Sequence, residues 1–243
     1  MPYKVISLYH ARIGELRDPI LVEGLPGIGL VGHMAVDNLI KAHGAKPIFE
    51  ILSTEFQPIS MVEDGDLRPQ RNELYLLSDP SIPRDLILLF GNAQASNPSG
   101  QYELAECALK LAKGMGCRLV ITLGGLKRDS ATPAPRIFCT ATDPKLLSMA
   151  LSRGAGILQG RVFGAAGILV GLAELMDMSG LCLLAETPGF FGDAIAAKAI
   201  LAFLSKFLGA ELSTKELDAK AEGLADALEK MAKGIGGEGR EVV

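Results

Sequence analysis

Pro19-Ile20-Leu21-Val22-Glu23-Gly24-Leu25-Pro26-Gly27-Ile28-Gly29-Leu30-Val31-Gly32 passes from a short apolar stretch, through a run rich in glycine, into an amphipathic segment. This order is the start of a βα unit: a strand, a glycine turn and a helix N-terminus. The turn's N–H groups are placed to cradle an anion or to let two backbones approach closely. The glycines at 24, 27, 29 and 32 contain the G-x-G-x-x-G spacing as Gly27, Gly29 and Gly32, a dinucleotide-loop pattern that is weak without further features. Asp37 comes too early for a ribose-binding carboxylate, whereas Glu50, at the edge of the apolar run 48–52, falls about where one would sit. No Gly-Lys-Ser/Thr follows, so a Walker A loop is excluded. The preferred reading of the glycines is tight turning, helix packing or subunit contact.

Outward from this stretch the βα spacing repeats. Strands are expected at 19–23, 47–52, 72–78, 85–90, 117–123, 136–140 and 182–186, and helices at 30–43, 99–114, 143–152, 164–176 and 192–209. The aliphatic run 85–90 reads as a central parallel strand. Residues 53–71 form a polar, proline-containing stretch, and periodicity weakens between 127 and 160, where Thr132-Pro133-Ala134-Pro135 breaks it. Ser213 with Glu216 is a capping-box signature. The expected organisation is a single α/β domain over 1–212, a C-terminal helix over 213–233 packed on that domain or on a neighbour, and a flexible tail over 234–243. The expected fold is a three-layer α/β/α sandwich with a mostly parallel central sheet.

Composition narrows the function. Of the 243 residues, 49% are hydrophobic, with 28 glycines, 9 Phe, 4 Tyr and no Trp, so the core is aliphatic and base-stacking surfaces are disfavoured. A formal charge of −4, with no basic cluster beyond the pair Lys127-Arg128, argues against nucleic-acid binding. Cys107, Cys117, Cys139 and Cys182 lack C-x-x-C spacing and read as buried free thiols of a reducing cytoplasm. His10, His33 and His43 are too few for a histidine-rich metal centre. No signal-peptide pattern or membrane-spanning run is present, so a cytoplasmic protein is expected.

Polar residues at strand exits are the candidates for chemistry: Glu55, Asp79, Asn92, Gln94 and Glu186 with Thr187. Turns place the same residues there for local capping. Ser53 lacks a G-x-S-x-G elbow, and nothing pairs it with His33, which reads as a helix-face residue. Asp143 and Asp193 read as helix-start carboxylates. No residue is therefore assigned as catalytic, cofactor-binding or metal-ligating, and no cofactor is expected. Phe190 and Phe191, flanked by Gly189 and Gly192, can form an exposed apolar knob that anchors a protein partner.

Several segments together resemble the proteasome assembly chaperone 2 family, in particular its archaeal branch, some members of which are also labelled ATP-grasp-like. They are residues 23–32, the helix running to His43-Gly44-Ala45, Ile51 to Pro58, Gly91-Asn92-Ala93-Gln94, Thr122-Leu123-Gly124-Gly125, Gly164 to Leu169 and Ala185 to Asp193. The resemblance implies a nucleoside-phosphorylase-like shape, a homo-oligomer, and a non-enzymatic protein that holds proteasome subunits. The hydrophobic-Tyr-X ending of some proteasome-binding relatives is replaced here by Glu241-Val242-Val243. The alternative is a phosphorylase- or hydrolase-like enzyme, or a small-anion or nucleotide-binding protein, that uses the glycine loop with Asn92, Gln94 or Glu186.

Overall fold

The computed structural model describes residues 3–8, 15–129, 132–190 and 192–220. The strands in chain order are β1 (Tyr3–Ser7), β2 (Ile20–Glu23), β3 (Lys46–Ser53), β4 (Ser60–Glu63), β5 (Asp66–Pro69), β6 (Asn72–Leu77), β7 (Leu86–Gly91), β8 (Leu119–Lys127), β9 (Ile137–Ala141), β10 (Gly156–Ile157) and β11 (Ser179–Thr187). The helices are α1 (Val31–His43), α2 (Pro98–Gly114), α3 (Pro144–Ser152), α4 (Ala165–Leu175) and α5 (Ala194–Leu208), with a 3-10 turn at Ile28–Leu30 ahead of α1.

Nine strands form one sheet in the order β1-β3-β6-β7-β2-β8-β11-β9-β10, and β4 and β5 form a separate hairpin. The middle of the sheet, β7-β2-β8-β11, is parallel. These strands are apolar on both faces because helices cover both. Ile20, Val22, Leu88, Ile121 and Leu183 pack with α1, α3 and α5, while Leu21, Ile87, Leu89 and Val120 pack with α2 and α4.

The expected mostly parallel sheet is a misreading. Outside the middle, β1-β3, β3-β6, β6-β7 and β11-β9 all pair antiparallel, so the sheet is mixed. For β6-β7 the reason is connection length: a parallel crossover needs about a dozen residues or more, and β6 returns into β7 through residues 78–85 alone. That turn is held by Asp85, which accepts from Arg17 Nη2 at 2.6 Å and from Arg17 N at 2.7 Å, and by Asp79, which accepts from Ser81 N at 2.9 Å. The link from β3 to β6, the stretch read from sequence as merely polar, carries a hairpin instead of a helix. With this strand pattern the nucleoside-phosphorylase-like shape has no support.

Residues 215–220 are helical and lie against α1. Asn38 donates to Ser213 O at 2.6 Å and accepts from Leu217 N at 3.3 Å, and the Leu217 side chain is buried. The remainder of the expected helix over 213–233, the tail over 234–243, His10 and Phe191 lie outside the described residues. Among the described residues no helix is long and apolar enough to cross a membrane.

Candidate protein-contact rim

β2 ends on Glu23, which is only 2% exposed. Its Oε1 accepts from Leu25 N at 2.8 Å, and its Oε2 has no hydrogen-bond partner among the described residues. Burial outweighs that one bond and lifts the carboxyl to about 8. Strand register sets Glu23 beside Thr122, and Thr122 beside Cys182. Thr122 Oγ1 donates to Ala166 O at 3.0 Å in the first turn of α4. Burial pushes the Cys182 thiol up to about 12, so no thiolate is available there as a nucleophile.

The glycines after Glu23 serve close packing. A Cβ on Gly24 would lie 2.3 Å from Gly32 O, and one on Gly32 would lie 2.0 Å from Leu123 O, so α1 is pressed directly onto β8. Gly29 has φ +62, and a Cβ there would meet Thr187 Oγ1 at 2.6 Å. The space above Gly24, Gly29 and Gly32 is thus taken by the chain's own atoms, which removes most of the cradle a phosphate needs. Gly27 alone of the four faces open space, its nearest neighbour being Leu25 O at 4.0 Å.

The strand-exit residues turn out to bond to backbone and to neighbouring side chains. Gln94 donates to Pro26 O and accepts from Gln101 Nε2 at 3.1 Å and from Ala165 N at 3.2 Å. It thereby ties the glycine loop to α2 and to the start of α4. Asn92 Oδ1 accepts from Arg71 N at 3.0 Å. Glu55 accepts from Asn97 Nδ2, and Asn97 caps α2. Glu186 accepts from Arg136 Nη2 at 2.8 Å, Arg128 Nε at 3.1 Å and Arg136 N at 3.2 Å. The Arg136 side chain first, then its backbone N–H and Arg128, hold the Glu186 carboxyl down at about 2 against the effect of burial. A carboxylate so fixed does not exchange protons near neutral pH.

The remaining candidates are also scattered. Ser53 Oγ accepts from Glu55 N at 3.1 Å, while His33 stacks on Phe90 with ring centroids 4.5 Å apart, and no bond joins the two. Glu50 lies 3.7 Å from Arg71 Nε. Asp143 caps α3 through Lys145 N, and Asp193 caps α5 through Ala196 N. His43 does face a carboxylate, with Nδ1 3.2 Å from Asp79 Oδ2, but its Nε2 accepts from Ser213 N. Among the described residues no cluster of three or more His, Cys, Asp or Glu side chains is placed to hold a metal. A cavity of about 20 Å³ between Leu25, Asn72, Gln94 and Ala165 has room for about one water.

What the loops do present is an apolar rim at the carboxyl ends of the parallel strands. Phe190 is 72% exposed, and Ile28 and Leu30 in the glycine loop and Ile195 at the start of α5 are exposed as well. Contact between the loops is direct: Asp193 N donates to Gly29 O at 2.9 Å, and a Cβ on Gly189 would stand 3.0 Å from Ile28 Cγ2. Thr187 Oγ1 donates to Asp193 Oδ2 at 2.8 Å and so fastens β11 to the start of α5. Lys127 Nζ sits 5.6 Å above the Phe190 ring. Phe163, 79% exposed, precedes Gly164, where a Cβ would touch Gln94. Sequence reading singled out Phe190 but missed Ile28, Leu30, Phe163 and Ile195, whose signal is a large apolar side chain inside or beside a glycine-bounded turn.

Comparison with known proteins agrees with this geometry. The PAC2 family profile matches residues 21–232. The protein MJ1210 of Methanocaldococcus jannaschii, itself uncharacterized, is 33% identical over 95% of this chain and 89% of its own length. The crystal structure of Pyrococcus furiosus PbaB, described as an archaeal proteasome activator, superposes with a TM-score of 0.85 at 31% identity, over 95% of this chain and 99% of that one. Pyrococcus furiosus PbaA, described as an archaeal homolog of proteasome-assembly chaperone, gives 0.81 at 24% identity over 97% of this chain and 93% of its own, a likeness of fold. The chain belongs to the PAC2 family.

Proposed function

We infer that this is a non-enzymatic, proteasome-assembly-chaperone-like protein of the cytoplasm that holds partner subunits as a homo-oligomer. The observation that carries the reading is the set of exposed apolar side chains Ile28, Leu30, Phe190 and Ile195 on two touching segments, left in water at the end of the sheet where an α/β enzyme would gather polar groups. Family membership and the likeness to PbaB, an archaeal proteasome activator, support a proteasome-related partner. Binding of this kind covers surfaces of unassembled subunits and requires no cofactor.

Native mass spectrometry of the protein alone, with proteasome α subunits of the same source, and with the assembled proteasome tests the reading. Complexes with free α subunits are expected. Binding confined to the assembled particle would favour an activator, and binding to neither would remove the proteasome from the reading.

A further inference from the structure

The cations around the rim specify what the partner presents. Lys127 ends β8 directly opposite Thr187 in the register, and its ammonium has the Phe190 ring as its neighbour. Arg128 and Arg136 both lie over the Phe138 ring, each with its guanidinium carbon 5.3 Å from the centroid. All three cations belong to exposed residues, yet aromatic faces hold them in place.

The carboxylates nearby are spent on internal bonds. Glu186 is buried and takes donors from both arginines, and Asp193 takes Ala196 N and Thr187 Oγ1. Among the described residues of the run 127–136, Asp129 is the one acidic side chain beside Lys127, Arg128 and Arg136. An acidic chain, with formal charge −4, therefore turns a cationic and aromatic edge toward its partner.

We propose that the rim of Ile28, Phe190 and Ile195, edged by Lys127, Arg128 and Arg136, docks a protein segment in which carboxylates flank a large apolar side chain. The apolar side chain covers Phe190 and Ile28, and the carboxylates accept from Lys127 Nζ and from the guanidinium N–H groups that Glu186 leaves unused. Charge complementarity selects an acidic segment, and the aromatic faces supply the desolvated anchor. The proposal rests on the protein-binding reading above and adds the chemistry of the partner's contact segment.

The test uses the full chain and a fluorescein-labelled peptide of repeating Glu-Leu-Asp-Phe, with Lys-Leu-Lys-Phe and Glu-Ser-Asp-Ser peptides and a dT oligonucleotide as comparators. Binding of the first peptide is expected, about tenfold tighter than that of either peptide comparator and weakening as salt is raised. Lys127→Glu and Phe190→Ala, both at exposed positions, should each weaken it about tenfold with the melting temperature retained. Leu175→Ala, at the far end of α4, should leave it unchanged. Absence of peptide binding, binding by both rim variants as tight as that of the parent, or tighter binding of the oligonucleotide would overturn the proposal. The outcome is independent of the mass-spectrometric result, since a protein that forms α-subunit complexes untouched by both variants keeps its proposed function and loses this site.

Discussion

Gly32 has no room for a methyl group: the nearest atom to its Cβ position is a backbone oxygen of Leu123, at 2.0 Å, and backbone cannot swing aside as a side chain does. Gly32→Ala should therefore push α1 off β8 and destabilise the fold by about 2 kcal/mol or more, read as a lowered denaturant midpoint. An unchanged midpoint would mean that the α1–β8 contact is looser than the geometry implies. Two residues earlier the balance is different. Leu30 holds φ 49, in the left-handed region that costs a non-glycine residue about 1 kcal/mol, and its side chain is exposed. Strain spent on presenting an apolar side chain to water points to contact outside the chain. Leu30→Gly should leave stability within about 1 kcal/mol of the parent, relief of strain offsetting the freer unfolded chain, while weakening partner binding. Loss of stability with binding intact would assign Leu30 to packing instead. Neither the φ of Leu30 nor the opposing Leu123 carbonyl is written in residue type, so the motif located the loop without revealing what its glycines touch.

The strands and helices were readable where local pattern suffices. The aliphatic runs of β2, β7, β8 and β11 are buried on both faces and stand out in any window. Direction was misread because it depends on what joins two strands. Only residues 79–84 were left between two expected strands, and a connection that short joins antiparallel neighbours. β1, β5 and β10 left little trace, since an edge strand half open to water has no apolar run to announce it. The end of α1 was seen as a helix, but its role was not. Asn38, 1% exposed, uses both its amide atoms on the segment that begins at Ser213. Asn38→Leu should strip that segment of its two buried bonds and cost about 1–3 kcal/mol. Limited proteolysis should then cut between 209 and 220 before any other described segment; protection equal to that of the parent would show that Leu217 and the Lys220–Asp37 ion pair anchor the segment without Asn38.

Taken together, the buried charges give the molecule a tilted pH response, and the tilt follows from where each carboxyl sits. Glu186, held to about 2 by Arg136 and then Arg128, and Asp85, lowered by Arg17 despite burial, have folded affinities for protons below their unfolded ones. Their contribution is present above about pH 4.5 and is lost as pH falls toward 2. Glu23 acts in the opposite sense. Raised from 4.5 to about 8 by burial, it binds its proton more tightly in the fold, so its cost is absent below about pH 4.5 and grows until pH passes 8. A shift of that size corresponds to up to roughly 5 kcal/mol between the two ends of the window. Through Glu23, stability should therefore be greatest on the acid side of neutrality and decline through pH 5 to 8. Glu23→Gln replaces the protonated carboxyl by a neutral group of the same shape, and should flatten that decline while leaving the acid limb below pH 4.5 in place. Chemical denaturation at half-unit steps from pH 3 to 9 reads both limbs at once. If the parent and Glu23→Gln fall in parallel from pH 5 to 8, the Glu23 carboxyl is ionised within the fold at neutral pH, and water or a cation reaches its Oε2 where the packing leaves it without a partner.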